Sequence, residues 1–259
     1  MSILTIPNRR QLLGEYIDPT SRYAWPMYDE DFAPDNMSGV DLAAPALLSY
    51  PLPVQCLREM GRTRVVTPYE TLVKRMRAFL ATPGPTTFID LTTSQVSTLA
   101  TRTRGAPVQG FRWSAFIQCL DAVQNTCPTL TSVAVTKILH RKRPDLVPLN
   151  DDRLRTFYGA DNRYAPLFKA IWDDLQRPQV QRELRTWIDG VQTPSGRPLT
   201  MLRALDIIVW MHQGRAGGAA GIGPGGGRPA AAPPAGGAEG APVEPSVATE
   251  VDLPPPDMT

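Results

Sequence analysis

Between Lys137 and Arg155 the chain gathers the residue types that could do chemistry on a nucleic acid. Lys137, His140, Arg141, Lys142 and Arg143 crowd one short stretch, two prolines follow at 144 and 148, and Asp151 and Asp152 then precede Arg153 and Arg155. Cations at this density can track a phosphate backbone. Each group also has a plainer role. A helix C-terminus favours Lys, Arg and His because its carbonyl dipoles point at them. Asp151 and Asp152 suit the start of the next helix, where Asp caps free backbone amides. Both roles stay open on sequence alone.

The surrounding elements follow from apolar spacing. Thr67 and Pro68 open a helix in which Tyr69, Leu72, Val73, Met76, Phe79 and Leu80 recur at i, i+3, i+4. A weaker helix is expected over 94–103, and Trp113, Phe116, Ile117, Leu120 and Val123 make a stripe over 111–125. The helix over 132–142 is expected to bury Val135, Ile138 and Leu139 and to project Lys137, Arg141 and Lys142 outward. Helices over 151–158, 165–175, 178–191 and 199–212 complete the pattern, and no alternating run reads as a strand. The expected class is all-α, one multi-helix domain over 1–213 with an irregular, proline-broken first 66 residues.

From Gly214 the composition becomes Gly, Ala and Pro, too poor in apolar groups to offset the entropy of ordering, so 214–259 is expected to be a disordered tail. The tail sets two arginines against five acids, a net of −3, which leaves the preceding part at +5 although the whole chain carries only +2. Its Gly221-Ile-Gly-Pro-Gly-Gly226 run matches a dinucleotide loop only formally, with Pro224 inside it and no strand before it.

Cys56, Cys119 and Cys127 show neither CxxC spacing nor an even count, so reduced thiols are expected. His140 and His212 lack acidic partners at ligand spacing, so no metal and no cofactor are expected. The first apolar residues precede Arg9 and Arg10, the reverse of a secretory signal, and no apolar run is long enough to span a bilayer. A cytoplasmic protein that does not enter membranes is the expectation.

A helix, a proline-containing loop, and an Asp opening the next helix with an Arg shortly after it make the 137–155 segment similar to the core of the helix-hairpin-helix DNA glycosylase superfamily. Over a longer span the chain resembles an uncharacterised bacterial family of unknown function. The residues that carry this are the R-P-x-L-x-P-x-x-D run from Arg143 to Asp151 and the L-D-x-x-x-W-M run from Leu205 to Met211.

The first resemblance implies a glycosylase-like helical fold that acts on double-stranded DNA, with Asp151 as the catalytic carboxylate. Lys137, Arg141, Lys142, Arg143, Arg153 and Arg155 are the expected phosphate contacts. Pro128 to Ser132 stands where the glycine-rich hairpin of that superfamily would be, and Ser132 or Val133 stands where the lysine of its strand-cleaving members would be. The implied activity is therefore monofunctional base excision, since neither side chain can form a Schiff base. A base-flipping pocket needs aromatic walls, for which Trp113, Phe157, Tyr158, Trp172 and Trp210 are candidates, each also suited to core packing. The alternative is a non-catalytic interaction protein that keeps the scaffold and meets an acidic partner through a basic face.

Overall fold

The computed structural model describes residues 1–20, 23, 25–31, 35–48, 68–82, 87–101, 112–126, 130–161 and 164–218. The chain divides into a unit from Met1 to Gly225 and a second from Gly226 to Thr259, the latter wholly outside the described residues. Among the described residues there are eleven α-helices and no strand, with one isolated bridge between Gln192 and Pro198. In chain order they are α1 (Arg9–Ile17), α2 (Trp25–Tyr28), α3 (Gly39–Leu47), α4 (Pro68–Ala81), α5 (Thr93–Thr101) and α6 (Arg112–Thr126). They continue with α7 (Ser132–Lys142), α8 (Asp152–Tyr158), α9 (Tyr164–Leu175), α10 (Pro178–Ile188) and α11 (Met201–Gly218). The all-α class is therefore correct. The expected Thr67 cap, two of the three cysteines (Cys56 and Cys127), the side chain of Trp113 and the tail beyond Gly218 lie outside the described residues.

Two helices are buried on every side. In α7 the residues from Ala134 to Lys142 are all buried, and in α11 so are those from Leu202 to Val209. Around them α4 packs on α6, α1 and α8 on α11, and α3 on α7. The amphipathic stripes do this work in α4 and α6, where Leu72, Met76 and Phe79 meet Phe116, Ile117 and Leu120 in one core, Phe79 and Phe116 with ring centroids 5.9 Å apart. Helix α11 runs on to Gly218 instead of stopping at His212. Arg215 in its last turn pairs with Glu15 of α1, which adds a tie beyond the apolar stripe.

The outward projection expected for the α7 cations is wrong. Lys137 is 3 % exposed, Lys142 2 %, and Arg141 is also buried. Carboxylates from the N-terminal segment draw Arg141 and Lys142 inward, and Asp151 does so for Lys137. Arg141 Nε lies 2.9 Å from Asp41, and Lys142 Nζ lies 2.7 Å from Asp41 and 3.0 Å from Asp31. The Arg141 guanidinium also donates to the carbonyls of Met27, Tyr28 and Glu30. Helical periodicity puts Lys137 and Arg141 on one face but cannot say that other acids cover it. The N-terminal 48 residues are thus no loose leader in their described parts, since Arg203 of α11 holds Asp29 in a two-pronged pair at 2.8 and 2.7 Å.

Burial pushes the Asp41 carboxyl up, but hydrogen bonds from Lys142 and Ser38 outweigh it and hold its pKa below the usual 3.8. Such a group stabilises the fold at pH above its unfolded value and loses that contribution as acid protonates it. Lys142→Ala removes one cation from Asp31 and Asp41, leaving Asp41 with Arg141 and Asp31 with Arg197, and urea denaturation at pH 7 should show a loss of about 1.5–3 kcal/mol. The deficit should shrink below about pH 4, where Asp41 is protonated in the unfolded chain and then in the folded one.

Candidate functional site

The loop from Arg143 to Asp151 is pinned to α7 rather than hanging from it. Val147 accepts at its carbonyl from His140 Nδ1 at 2.5 Å, Thr200 donates to the Pro144 carbonyl at 2.8 Å, and the Asn150 amide nitrogens bond Thr136 and Ser132. Leu146, Val147 and Leu149 point into the core. Burial lowers the pKa of His140 to about 3, so its ring is neutral at physiological pH, which suits its position against Tyr28 near Arg203 and Arg197.

So held, the loop delivers Asp151 to the start of α8. One of its oxygens accepts from the Arg153 amide at 3.0 Å, making it the N-cap, and the other lies 3.1 Å from Lys137 Nζ. Lys137 also donates to the Leu48 carbonyl at 2.8 Å. The capping role suggested by the sequence is real, and it leaves the Asp151 side chain 15 % exposed.

That exposed edge opens on a small, partly enclosed cleft with a free volume of about 10 Å³, room for about one water molecule. Asp151, Asp206 and Arg203 supply its charges, while Tyr16, Trp210 and Leu149 supply apolar wall. Tyr16 and Trp210 meet edge to face with centroids 6.3 Å apart. Arg153 lies over the Trp210 ring, 4.1 Å from its centroid, at a place that Gly214 keeps open: a Cβ there would come within 2.9 Å of the guanidinium.

Asp206 is the residue that sequence reasoning did not assign. It is 4 % exposed, and one carboxylate oxygen bonds Arg203 one turn earlier on α11. The other oxygen, Oδ1, is buried with no hydrogen-bond partner among the described atoms. Burial raises its pKa to about 7; Arg203 opposes the rise, and the negative charge of Asp151, then of Asp29, adds to it. Its signal in the sequence is a carboxylate inside the apolar run Leu205 to Val209, three residues after an arginine. An uncharged helix face would not need that pair.

The six cations expected on phosphates separate into two sets. Lys137, Arg141 and Lys142 are internal. Arg143, Arg153 and Arg155 are half-buried: Arg143 pairs with the exposed Asp35, Arg153 stacks on Trp210, and Arg155 pairs with Asp152 and bonds Asn150 at 2.5 Å. Of the aromatic candidates, Phe157, Tyr158 and Trp172 are core residues, and Trp210 alone of those described reaches the cleft. Among the described residues no group of three His, Cys, Asp or Glu is placed to hold a metal ion, and no helix is long and apolar enough to cross a membrane.

A carboxyl whose folded pKa lies above its unfolded value costs stability as pH rises between the two, here from about 4 to about 7. Asp206→Asn cannot ionise. Its stability relative to the parent should therefore improve from pH 5 to about pH 7 and then level off in denaturant titrations, and a difference that is flat with pH throughout would contradict the assignment.

The two sequence runs that carry the resemblance to an uncharacterised family converge here, the first ending on Asp151 and the second holding Asp206 and Trp210. No curated protein and no solved structure matches the chain. A family model does match, over residues 10–213, and its span includes the whole cleft. The chain belongs to that family, a family of unknown function (DUF6308).

Proposed function

We propose that the cleft at Asp151 is an active site that stabilises positive charge developing on a sugar, and that the protein is a DNA-associated, monofunctional base-excision enzyme. The observation that carries this reading is the union of Asp151, Asp206 and Trp210 on one concave surface. Within the lining and its direct partners, Asp29, Asp151 and Asp206 face two cations, Arg203 and Lys137. Once Asp206 is ionised the site is one positive charge short of balance, which favours an oxocarbenium-like transition state over its neutral ground state. Asp151 is the carboxylate with an exposed edge. Of the six cations expected on DNA, Arg143, Arg153 and Arg155 keep that role.

One observation favours a second reading. Three of the expected phosphate contacts are consumed by internal ion pairs, which suits a scaffold protein without catalysis that meets a partner elsewhere on its surface.

The readings separate on duplex oligonucleotides that each carry one damaged base, with base loss read as alkali-labile strand breaks. The enzyme reading expects release from at least one of them. It expects Asp151→Asn to lower that release by about 100-fold or more; Asn keeps the helix cap but costs buried Lys137 its ion pair, so the variant's fold is checked by thermal denaturation alongside. Release should also climb as pH rises through about 7, following ionisation of Asp206. Full activity in the Asn variant, or no release from any duplex, leaves the scaffold reading in possession.

A further inference from the structure

We infer that the open concavity between the start of α1 and the end of α10, at Arg9, Arg10 and Trp187, binds the phosphodiester backbone of a nucleic-acid strand. The inference rests on the reading of the protein as DNA-associated and names a surface for that association. It does not depend on any base being released.

Room is the first observation. The concavity is open to solvent and has a free volume of about 660 Å³, against about 10 Å³ in the cleft at Asp151. Asn8, Arg9, Arg10, Gln11 and Trp187 line it, and no acidic residue does. A cationic basin that is wide and open suits an extended polyanion better than one enclosed ion.

Charge is the second. Arg10 is exposed, and its side chain makes no ion pair or hydrogen bond among the described residues. Arg9 beside it is fixed. Its guanidinium donates to the Leu4 and Ile6 carbonyls, both at 2.7 Å, pairs with Glu183 at 2.7 Å and lies over the Trp187 ring, 5.6 Å from its centroid. Trp187 is thus a support for Arg9 and not a face for the ligand. Burial pushes the Glu183 carboxyl up, but hydrogen bonds from Gln179 and Arg9 and the charges of Arg9 and Arg182 hold its pKa below the usual 4.5. Arg9, Arg10 and Arg182 therefore share one carboxylate, and Arg10 carries the surplus to the concavity. Arg9 Nε is buried with no acceptor, which shows the same shortage of negative partners.

The third observation is position. Arg9 and Tyr16 lie seven residues apart on one face of α1, two turns and about 10 Å along the helix. Tyr16 lines the cleft at Asp151. About three nucleotides of one strand cover that distance at about 3.4 Å each, so a strand engaged at the cleft can lay a phosphate on Arg10. The Asn8 side chain caps no amide of α1, which leaves first-turn N–H groups beside the two arginines as further donors for phosphate oxygens. With Lys137, Arg141 and Lys142 consumed inside the fold, Arg10 supplies at the surface the kind of contact they do not.

The experiment is fluorescence-anisotropy titration of a labelled, undamaged DNA duplex with the full chain over a range of salt. Arg10→Gln removes one phosphate contact and should weaken binding about five- to tenfold at 0.1 M salt, with a salt slope smaller by about one, whatever the duplex sequence. Arg77→Gln on the exposed face of α4 removes the same charge elsewhere and should leave affinity and slope unchanged. Because Arg10 holds no partner in the fold, its variant should melt at the parent's temperature. Polyglutamate of matched charge and inorganic phosphate serve as competitors, and each should displace the duplex at least about tenfold less well than unlabelled duplex. Unchanged binding in Arg10→Gln, an equal loss in Arg77→Gln, no binding to any duplex, or competition by polyglutamate or phosphate as effective as by duplex overturns the inference. Arg10-dependent binding without base release would sink the excision reading alone, and base release with binding indifferent to Arg10 would sink this inference alone.

Discussion

Charge neutralisation inside the core is the constraint on which the rest of the fold depends. Helices α7 and α11 are enclosed on all sides, yet they carry Lys137, Arg141, Lys142, Arg203 and Asp206. Cations cannot sit there unless carboxylates come to them. Asp29, Asp31 and Asp41 do so, and they bring α2 and α3 with them, so that a proline-rich stretch expected to be irregular becomes an integral helical layer in its described parts. Buried pairs of this kind add little net stability compared with apolar packing, but they tolerate few alternatives. A register shift of α3 against α7 would part Asp41 from Arg141 and Lys142 at once.

The same constraint positions the cleft. Lys137 belongs to the buried face of α7 and reaches Asp151, whose other oxygen caps α8, so the carboxylate is held from two directions before any ligand arrives. On the opposite wall Arg203 divides its guanidinium among Asp29, Asp206 and the Tyr16 hydroxyl. Both walls are therefore fixed by groups that also hold the core together, which suits a site whose geometry must not relax around charge. Stability and site chemistry share residues here, and a substitution such as Arg203→Ala would disturb both.

Legibility in the sequence followed the range of the interaction. The stripes of α4, α6, α9 and α10 were readable because each helix buries one face, and a one-sided pattern survives in linear order. Asp151 could be placed at a helix start because capping involves residues two positions apart. The α7 cations were misread as solvent-facing because a helix end rich in Lys and Arg looks the same whether water or aspartates some 100 residues away lie beyond it. Asp206 drew no role because its meaning depends on Asp151, Asp29 and Tyr16, none of them near it in the chain.

The sequence by itself determined an all-helical protein with a compositionally distinct end, the boundaries of α4 to α10 to within a few residues, and one segment, Lys137 to Arg155, in which charge and a capping carboxylate coincide. Those are properties of local backbone preference and of apolar periodicity, which act over one or two helical turns. Only the tertiary structure decided which charges face inward, that Asp151 and Asp206 share a cleft, and that one carboxylate oxygen there has no donor. The reason is that desolvation and Coulomb interaction depend on distance through space, and residues 55 positions apart on two helices acquire that distance only when the chain has folded.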